Sequence, residues 1–284
     1  MFEMIVNPKK AERRPWEMFF VGLFYASLAV VLVNWVFAGD TVLSKYLGVL
    51  VVTFTVMFSL PFVYYTIRLE EKKVSPKTGS FSIIHEHKRA LLAFMWLFFG
   101  FVIAFSFWYI VLDSSASFTA QIETFCLINR PSNVDQCVTE YGVNKAQLTG
   151  NVSGTGRLIS IFTNNLYVLI FTLIFSLLFG AGVIFILAWN ASVIAAAIGI
   201  FAKSQLVALP LGIARYALHG IPEIAAYFTV ALAGGMVSVA VIKHELGTEK
   251  FWEVLEDSLH LIIISIAVLF IAALLEVYVT TLIF

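Results

Sequence analysis

Seven long apolar runs constrain this sequence more than any other feature. A helix that crosses the hydrocarbon core of a bilayer needs about 20 consecutive apolar residues, and each run has about that length. The runs cover residues 16–37, 46–67, 90–112, 158–178, 181–201, 221–242 and 261–284. These runs are continuously apolar, whereas the strands of a membrane β-barrel would be shorter and would alternate apolar with polar residues. The sequence therefore predicts an all-α fold, a polytopic bundle of seven transmembrane helices within the lipid bilayer.

Composition and charge indicate how the chain sits in that bilayer. Of its residues 60% are hydrophobic and 13% charged, and the mean hydropathy is +0.92, which excludes a water-soluble globular protein. If the N-terminus is inside, the inner segments hold twelve Lys and Arg and the outer segments six. Basic residues favour the inner side. We therefore expect a multi-pass protein of the cell membrane with the N-terminus inside and the C-terminus outside.

Polar stretches divide the chain into three parts. Residues 1–67 combine an N-terminal basic segment with a two-helix hairpin. Residues 68–89 form a charged inner linker, in which His85 and His87 flank Glu86 and are expected to be solvated. Residues 90–284 form a five-helix core with a polar outer loop domain at 113–157.

The connection before the sixth run is unusually apolar. Residues 205–218 are too apolar for an exposed loop, too short to cross the membrane twice, and interrupted by Pro210 and Gly212. Such irregular backbone is tolerated at membrane depth only where protein or a wet cavity covers it. The pattern predicts a re-entrant segment near 203–219, with an amphipathic surface helix as the alternative. Because proline is favoured in the first turn of a helix, Pro222 predicts that the next helix starts near Gly220.

An amphipathic pattern precedes the last run. In residues 243–260 apolar side chains recur at helical spacing, and acidic side chains occupy the other face. This pattern favours an inner helix near the membrane surface, and a plain connection between two spans is the alternative.

Cys126 and Cys137 are the two cysteines of the chain, and both fall in the segment that the topology places outside. An outside location permits a disulfide, and we expect one between them. Two free thiols are the alternative, and their spacing is not typical of a metal site.

Five polar residues inside or beside the apolar runs are the candidate site: His219, Glu223, Glu276, Asn165 and Asn190. A carboxylate within the bilayer has to be paired, protonated or in contact with water. One interpretation is that the five residues line a polar cavity that binds a cation or a proton. The other is that Glu223 stabilises a helix start at its positive end while the asparagines form interhelical hydrogen bonds. The residue types do not identify a metal.

Several stretches resemble the stage II sporulation protein M family in their order and spacing over roughly residues 83–284. They are Asn164 with Asn165, the segment 179–182, Asn190 with Gly199, the segment 218–235 (LHGIPEIAAYFTVALAGG) and the segment 272–280 (AALLEVYVT). The resemblance implies a five-span membrane core whose polar residues include the five candidates. It also implies partners, because the family is known for a membrane component of the engulfment machinery that works with cell-wall-degrading proteins.

Two functional hypotheses of different class follow. The first is a channel- or transporter-like protein with an intramembrane cation or proton site, and the second is a scaffold that recruits partner proteins. No metalloprotease, serine-hydrolase or P-loop motif is present, so we expect no enzyme and no cofactor, apart from a bound cation. The expected partners are a second copy, through small-residue faces such as Ala191, Ala195 and Gly199, and a membrane or cell-envelope protein. No nucleic acid is expected.

Overall fold

The chain is almost entirely helical in the residues that the computed structural model describes, which are 8–73, 80–112, 115–129, 134–143, 154–204, 209–243 and 246–283. The helices are α1 (Pro8–Arg13), α2 (Glu17–Phe37), α3 (Leu47–Lys73), α4 (Ser80–Val111), α5 (Thr119–Asn129), α6 (Val134–Val143), α7 (Gly154–Phe179), α8 (Ile184–Ser204), α9 (Leu209–Ile242), α10 (Glu249–Leu274) and α11 (Thr280–Ile283). One π-helical turn, Leu275–Val279, joins the last two. The all-α prediction is confirmed.

Seven of the described helices are long and apolar enough to cross a membrane: α2, α3, α4, α7, α8, α9 and α10 with the π turn. Each coincides with one of the seven apolar runs. The runs specify these helices because a helix satisfies every backbone polar group internally, as a bilayer requires. The predicted polytopic helical bundle is therefore confirmed.

Helix α9 lies at the centre of the bundle and packs against α3, α7 and α10. In its apolar window 83% of the residues are buried, against 17% in the window of α7. Hydroxyl groups tie neighbouring helices to its backbone: Ser176 of α7 donates to the carbonyl of Ala231 (2.5 Å), and Ser258 of α10 donates to that of Ala233 (3.1 Å). Side chains on α9 are therefore held by protein on several sides.

The first spanning helix is fixed to the rest by a close backbone contact. A Cβ atom at Gly22 would lie 2.3 Å from the carbonyl oxygen of Leu97, and one at Gly100 would lie 2.3 Å from that of Phe19. Only glycine allows this approach between α2 and α4. The two-helix hairpin thus packs directly on the helices that follow it.

The small-residue faces are used within the chain. Gly199 of α8 faces the ring of Tyr109, and Gly235 of α9 faces the side chain of Ile67. Ala191 and Ala195 are completely buried. The sequence analysis used these faces to predict a homodimer, but in the structure they pack within one chain and give that prediction no support. The homodimer stays a prediction.

The predicted inner linker is largely helical. Helix α3 continues to Lys73 and helix α4 already begins at Ser80, while residues 74–79 lie outside the described residues. The expectation that His87 is solvated is wrong, because its side chain is completely buried, whereas His85 is exposed. Charged residues continue these helices because they pair with one another, as described below.

Two further helix starts differ from the prediction. Helix α9 begins at Leu209, so the prediction of a start near Gly220 is wrong. Residues 209–219 form its first three turns, so the re-entrant segment predicted near 203–219 is not confirmed, and residues 205–208 are not described. Helix α10 begins after Thr248, whose hydroxyl accepts the N–H of Phe251, and continues through the last span. The segment 249–260 is therefore part of a spanning helix.

The outer loop domain of the sequence prediction, 113–157, contains helices α5 and α6 in its described part. They lie at the end of the bundle where α4 and α8 finish and α7 and α9 begin, which we call the disulfide end. Cys126 and Cys137 are joined there, with sulfur atoms 2.11 Å and Cα atoms 5.8 Å apart. The side-chain amide of Gln121 donates to the carbonyl of Gly48 (2.9 Å) and anchors α5 on α3.

Candidate functional site

Polar side chains from α7, α9 and the π turn meet in the half of the bundle nearer the disulfide end. We call this group the polar site: Asn165, His219, Glu223, Tyr227 and Glu276. Nε2 of His219 lies 4.0 Å from Oε2 of Glu276, and the two side chains are 12% and 23% exposed. The contact joins α9 to the end of the last span.

Glu223 is a partly buried member of the polar site. The hydroxyl of Tyr227, one turn further along α9, donates to its Oε1 at 2.8 Å. Asn165 lies near Glu223, and its side-chain oxygen accepts from the amide of Asn164 at 3.4 Å. Glu223 lies near enough to Glu276 for the two carboxylates to interact electrostatically. The site therefore brings two carboxyl groups, an imidazole, a phenol and an amide together.

Because α9 is continuous through residues 209–242, Glu223 does not lie at the start of a helix. His219 and Glu223 are four residues apart on one unbroken helix, so they share a face. Glu223 lies about four turns beyond Leu209, whereas the dipole effect of a helix end falls off within the first turn. The interpretation that Glu223 stabilises a helix start is therefore wrong.

Two backbone irregularities flank the site. Pro222 lies inside α9, and because proline has no N–H, the carbonyl of Leu218 loses its usual helix donor next to His219. Glu276 sits in the π turn, where the N–H and the hydroxyl of Thr280 both donate to the carbonyl of Leu275, the hydroxyl at 2.9 Å. Such turns occur frequently at functional sites. Both irregularities change the direction of backbone polar groups at the polar site.

Asn190 does not join the polar site. It lies in the second turn of α8, and its side-chain amide donates to the carbonyl of Ile186 in the same helix at 2.8 Å. Of the five candidates, His219, Glu223, Glu276 and Asn165 are therefore together, and Asn190 is elsewhere. Tyr227 belongs to the site but was not a candidate. Its position four residues after Glu223 is the signal that could have found it.

A second polar group lies at the opposite end of the bundle. We call it the ion-pair network: Glu12, Glu70, Glu71, Lys73, His87 and Lys243. Nδ1 of His87 lies 2.6 Å from Oε2 of Glu70, and both side chains are fully buried. Nζ of Lys73 lies 2.5 Å from Glu70 and 2.9 Å from Glu12.

Another ion pair extends the network to the central helix. The ammonium group of Lys243, just after α9, donates to Glu71 of α3. The pKa of Glu12 in α1 is raised, first by burial and then by its hydrogen bond with Glu70. The network therefore joins α1, α3, α4 and α9 through buried or half-buried charges.

The sequence analysis missed the network because it assigned Glu70, Glu71, Lys73 and His87 to a charged, solvated linker. A helical pattern of buried residues nevertheless leads into it. Ser59, Phe62, Val63, Thr66 and Ile67 are buried at intervals of three to four residues, and Glu70 and Glu71 continue that interval. Extending the helical period through the charged positions would have predicted buried carboxylates.

Comparison with known proteins decides the family. The family model described as Stage II sporulation protein M matches residues 88–281. This chain belongs to the stage II sporulation protein M family. The family region contains the whole polar site, and α1, α2 and α3 precede it. No curated protein and no solved structure matches the chain.

Proposed function

We propose that this member of the stage II sporulation protein M family is a non-enzymatic, channel- or transporter-like membrane protein whose polar site binds and passes a proton. One observation carries the proposal: His219 and Glu276 approach to 4.0 Å beside Glu223, in a region bounded by apolar spanning helices. Ionisable residues within membrane spans mark ion pathways and proton relays more often than packing contacts.

Charge balance supports a proton as the bound species. With both carboxyl groups ionised, a neutral histidine leaves two negative charges at the site, and a charged one leaves a single negative charge. Burying such uncompensated charge among apolar helices is costly. A proton removes the imbalance, and the hydroxyl of Tyr227 then holds Glu223 in place. A monovalent metal cation bound between the two carboxylates would also offset their negative charge. The flux experiment below distinguishes it from a proton.

The polar site lies nearer the disulfide end, and the positive-inside rule places that end outside. In this orientation the site exchanges protons with the outer solution through the partly exposed Glu276. Passage to the inner side then requires a change in the packing of α9 against α10. The proline in α9 and the π turn after α10 are the positions at which these helices deviate from regular geometry.

Proteoliposomes test the proposal. The purified chain is reconstituted into vesicles that contain a pH-sensitive dye, and a potassium diffusion potential drives proton entry. We expect flux above that of empty vesicles, and at least a tenfold loss in Glu223→Gln and Glu276→Gln. Asn190→Ala is the matched control, because Asn190 bonds within its own helix, and it should keep the parent flux.

Other outcomes of the same assay reject the proposal. A parent protein that conducts no better than empty vesicles would reject proton passage. Gln variants that conduct like the parent would reject the polar site as its location. Potassium or sodium flux without proton flux would replace the proton by a metal cation at the same residues.

A membrane scaffold is the second candidate function, and the disulfide end favours it. Helices α5 and α6 are joined covalently and anchored on α3 by Gln121, so they form a rigid element beyond the spanning helices. We infer that a membrane or cell-envelope protein would dock there. Cross-linking from a probe on exposed Glu123 should then capture a partner in native membranes, and the double serine variant of Cys126 and Cys137 should reduce that capture.

A further inference from the structure

The exposed charges on three helices have one sign at the end of the bundle that holds the ion-pair network. Within residues 9–14, 68–73 and 85–89, every exposed residue is a lysine, an arginine or a histidine. Glu70 and Glu71, which are acids of the same segments, are buried. Surfaces that face water usually intersperse both signs of charge. The separation therefore leaves a cationic surface around buried carboxylates.

The ion-pair network places these three segments side by side. Nζ of Lys73 lies 2.9 Å from Glu12, and Nδ1 of His87 lies 2.6 Å from Glu70, so α1, α3 and α4 meet there. On each helix one exposed base is the direct sequence neighbour of a residue in these pairs, and the Cα atoms of neighbours are about 3.8 Å apart. We call this surface the basic face, and its members are Lys9, Lys10, Arg13, Lys72, Lys88 and Arg89.

Aromatic side chains beside the basic face indicate its depth in the membrane. Trp16 follows α1 and is 51% exposed, and Trp96, about two turns of α4 beyond Arg89, is 39% exposed. The ring of Phe19 packs edge-on against that of Trp96 at 6.3 Å, so α2 and α4 present these rings together. Tryptophan concentrates at the level of the lipid headgroups. The basic face therefore borders the headgroup layer.

The start of α10 lies at the same end of the bundle and carries the opposite charge. Glu249 and Glu256 are exposed there, and Lys250 is half-buried. Trp252 lies among them and is 59% exposed. This end therefore has two exposed tryptophans in opposite electrostatic surroundings, basic at Trp16 and acidic at Trp252.

We propose that the basic face binds the headgroup phosphates of anionic phospholipids in the surrounding leaflet, whereas the start of α10 does not. Clusters of lysine and arginine beside a spanning helix attract anionic lipid, and arginine donates two parallel hydrogen bonds to a phosphate. The neighbouring exposed tryptophans favour lipid over an acidic protein, because rings at headgroup depth contact lipid. The protein thus carries anionic lipid on one side of this end. The proposal does not depend on proton passage at the polar site.

Fluorescence quenching by brominated lipid tests the proposal on the full chain. The protein is reconstituted into vesicles of equal phosphatidylglycerol and phosphatidylcholine, with bromine on the acyl chains of one lipid or the other. The signal lost in Trp16→Phe and in Trp252→Phe gives the quenching of each indole, and both positions are exposed. We expect brominated phosphatidylglycerol to quench Trp16 at least twofold more than brominated phosphatidylcholine does, and no such preference at Trp252.

Charge variants locate the lipid preference. Lys10→Gln combined with Arg13→Gln removes two exposed bases of the basic face and should at least halve the preference measured at Trp16. Lys45→Gln removes an exposed base near the disulfide end and should leave it unchanged. Equal quenching of Trp16 by both lipids, the same preference at Trp252, or a preference that survives the double variant would overturn the proposal. Absence of quenching of Trp16 by either lipid would also overturn it and assign the basic face to an acidic protein partner.

Discussion

The polar site and the ion-pair network lie at opposite ends of the same helices and are held in different ways. In the network, His87 and Glu70 are fully buried and 2.6 Å apart, and the contacts link elements before the family region to elements inside it. In the polar site, His219 and Glu276 are partly exposed and 4.0 Å apart. The comparison teaches that one end of the bundle is locked by short ion pairs, while the other keeps ionisable groups loosely paired and next to irregular backbone.

Removing one partner of a buried ion pair in the ion-pair network should reduce the free energy of unfolding more than any other change considered below. Glu70→Ala leaves His87 and Lys73 without the carboxylate that holds both. Breaking a buried pair in this way costs about 3 to 5 kcal/mol, and unfolding in detergent followed by tryptophan fluorescence would measure it. Glu17→Ala is the control, because its pair with Arg14 is largely exposed and should contribute less than about 1 kcal/mol. Equal losses in the two variants would show that the network does not lock this end.

Removing the disulfide at the opposite end of the bundle should cause the next largest loss in the free energy of unfolding. Its bond closes a short loop, with a sequence separation of 11 residues, and loops of that size contribute roughly 2 to 3 kcal/mol. The double serine variant of Cys126 and Cys137 should lose that amount in the same unfolding assay. Maleimide should label neither cysteine in the unreduced, denatured parent. Labelling of both would mean that this end is not covalently closed.

The smallest effect on stability is expected in the polar site. Glu276→Gln removes a charge that is partly exposed and 4.0 Å from its partner, a geometry that contributes less than about 1 kcal/mol. Thermal unfolding of the variant should nearly superimpose on that of the parent. A loss as large as that of Glu70→Ala would make both ends equally structural and would remove the contrast between them.

Hydropathy predicted the number of spans because the bilayer sets a minimum apolar length for each of them. It did not predict where the helices end. Helices α3 and α4 continue into charged sequence because Glu70 and His87 pair across them. Pairing between distant residues is a property of three-dimensional packing, and a local average of hydropathy contains no information on it.

The residues of the candidate site were predictable only in part, because the sequence shows which residue types lie in apolar runs but not which of them meet in three dimensions. Carboxylates, histidine and amides inside apolar runs stand out by type, so His219, Glu223, Glu276 and Asn165 could be singled out. Which of them meet depends on the rotation of each helix, and Asn190 faces a carbonyl of its own helix instead. Tyr227 was missed because a tyrosine in an apolar run resembles ordinary packing until its hydroxyl is seen to bond to Glu223.

The pair between Glu71 and Lys243 has a consequence for the order in which the protein is made. The two residues are 172 positions apart, and a ribosome adds about 5 to 20 residues per second, so Glu71 waits on the order of 10 to 30 s for its partner. During that interval the hairpin of α2 and α3 is already in the membrane without the partner of Glu71, whereas Glu70 can already pair with Lys73. Formation of this ion pair therefore has to follow synthesis of the sixth span, which ends at Ile242, and a chain truncated before Lys243 would expose Glu71 to the insertion and quality-control machinery.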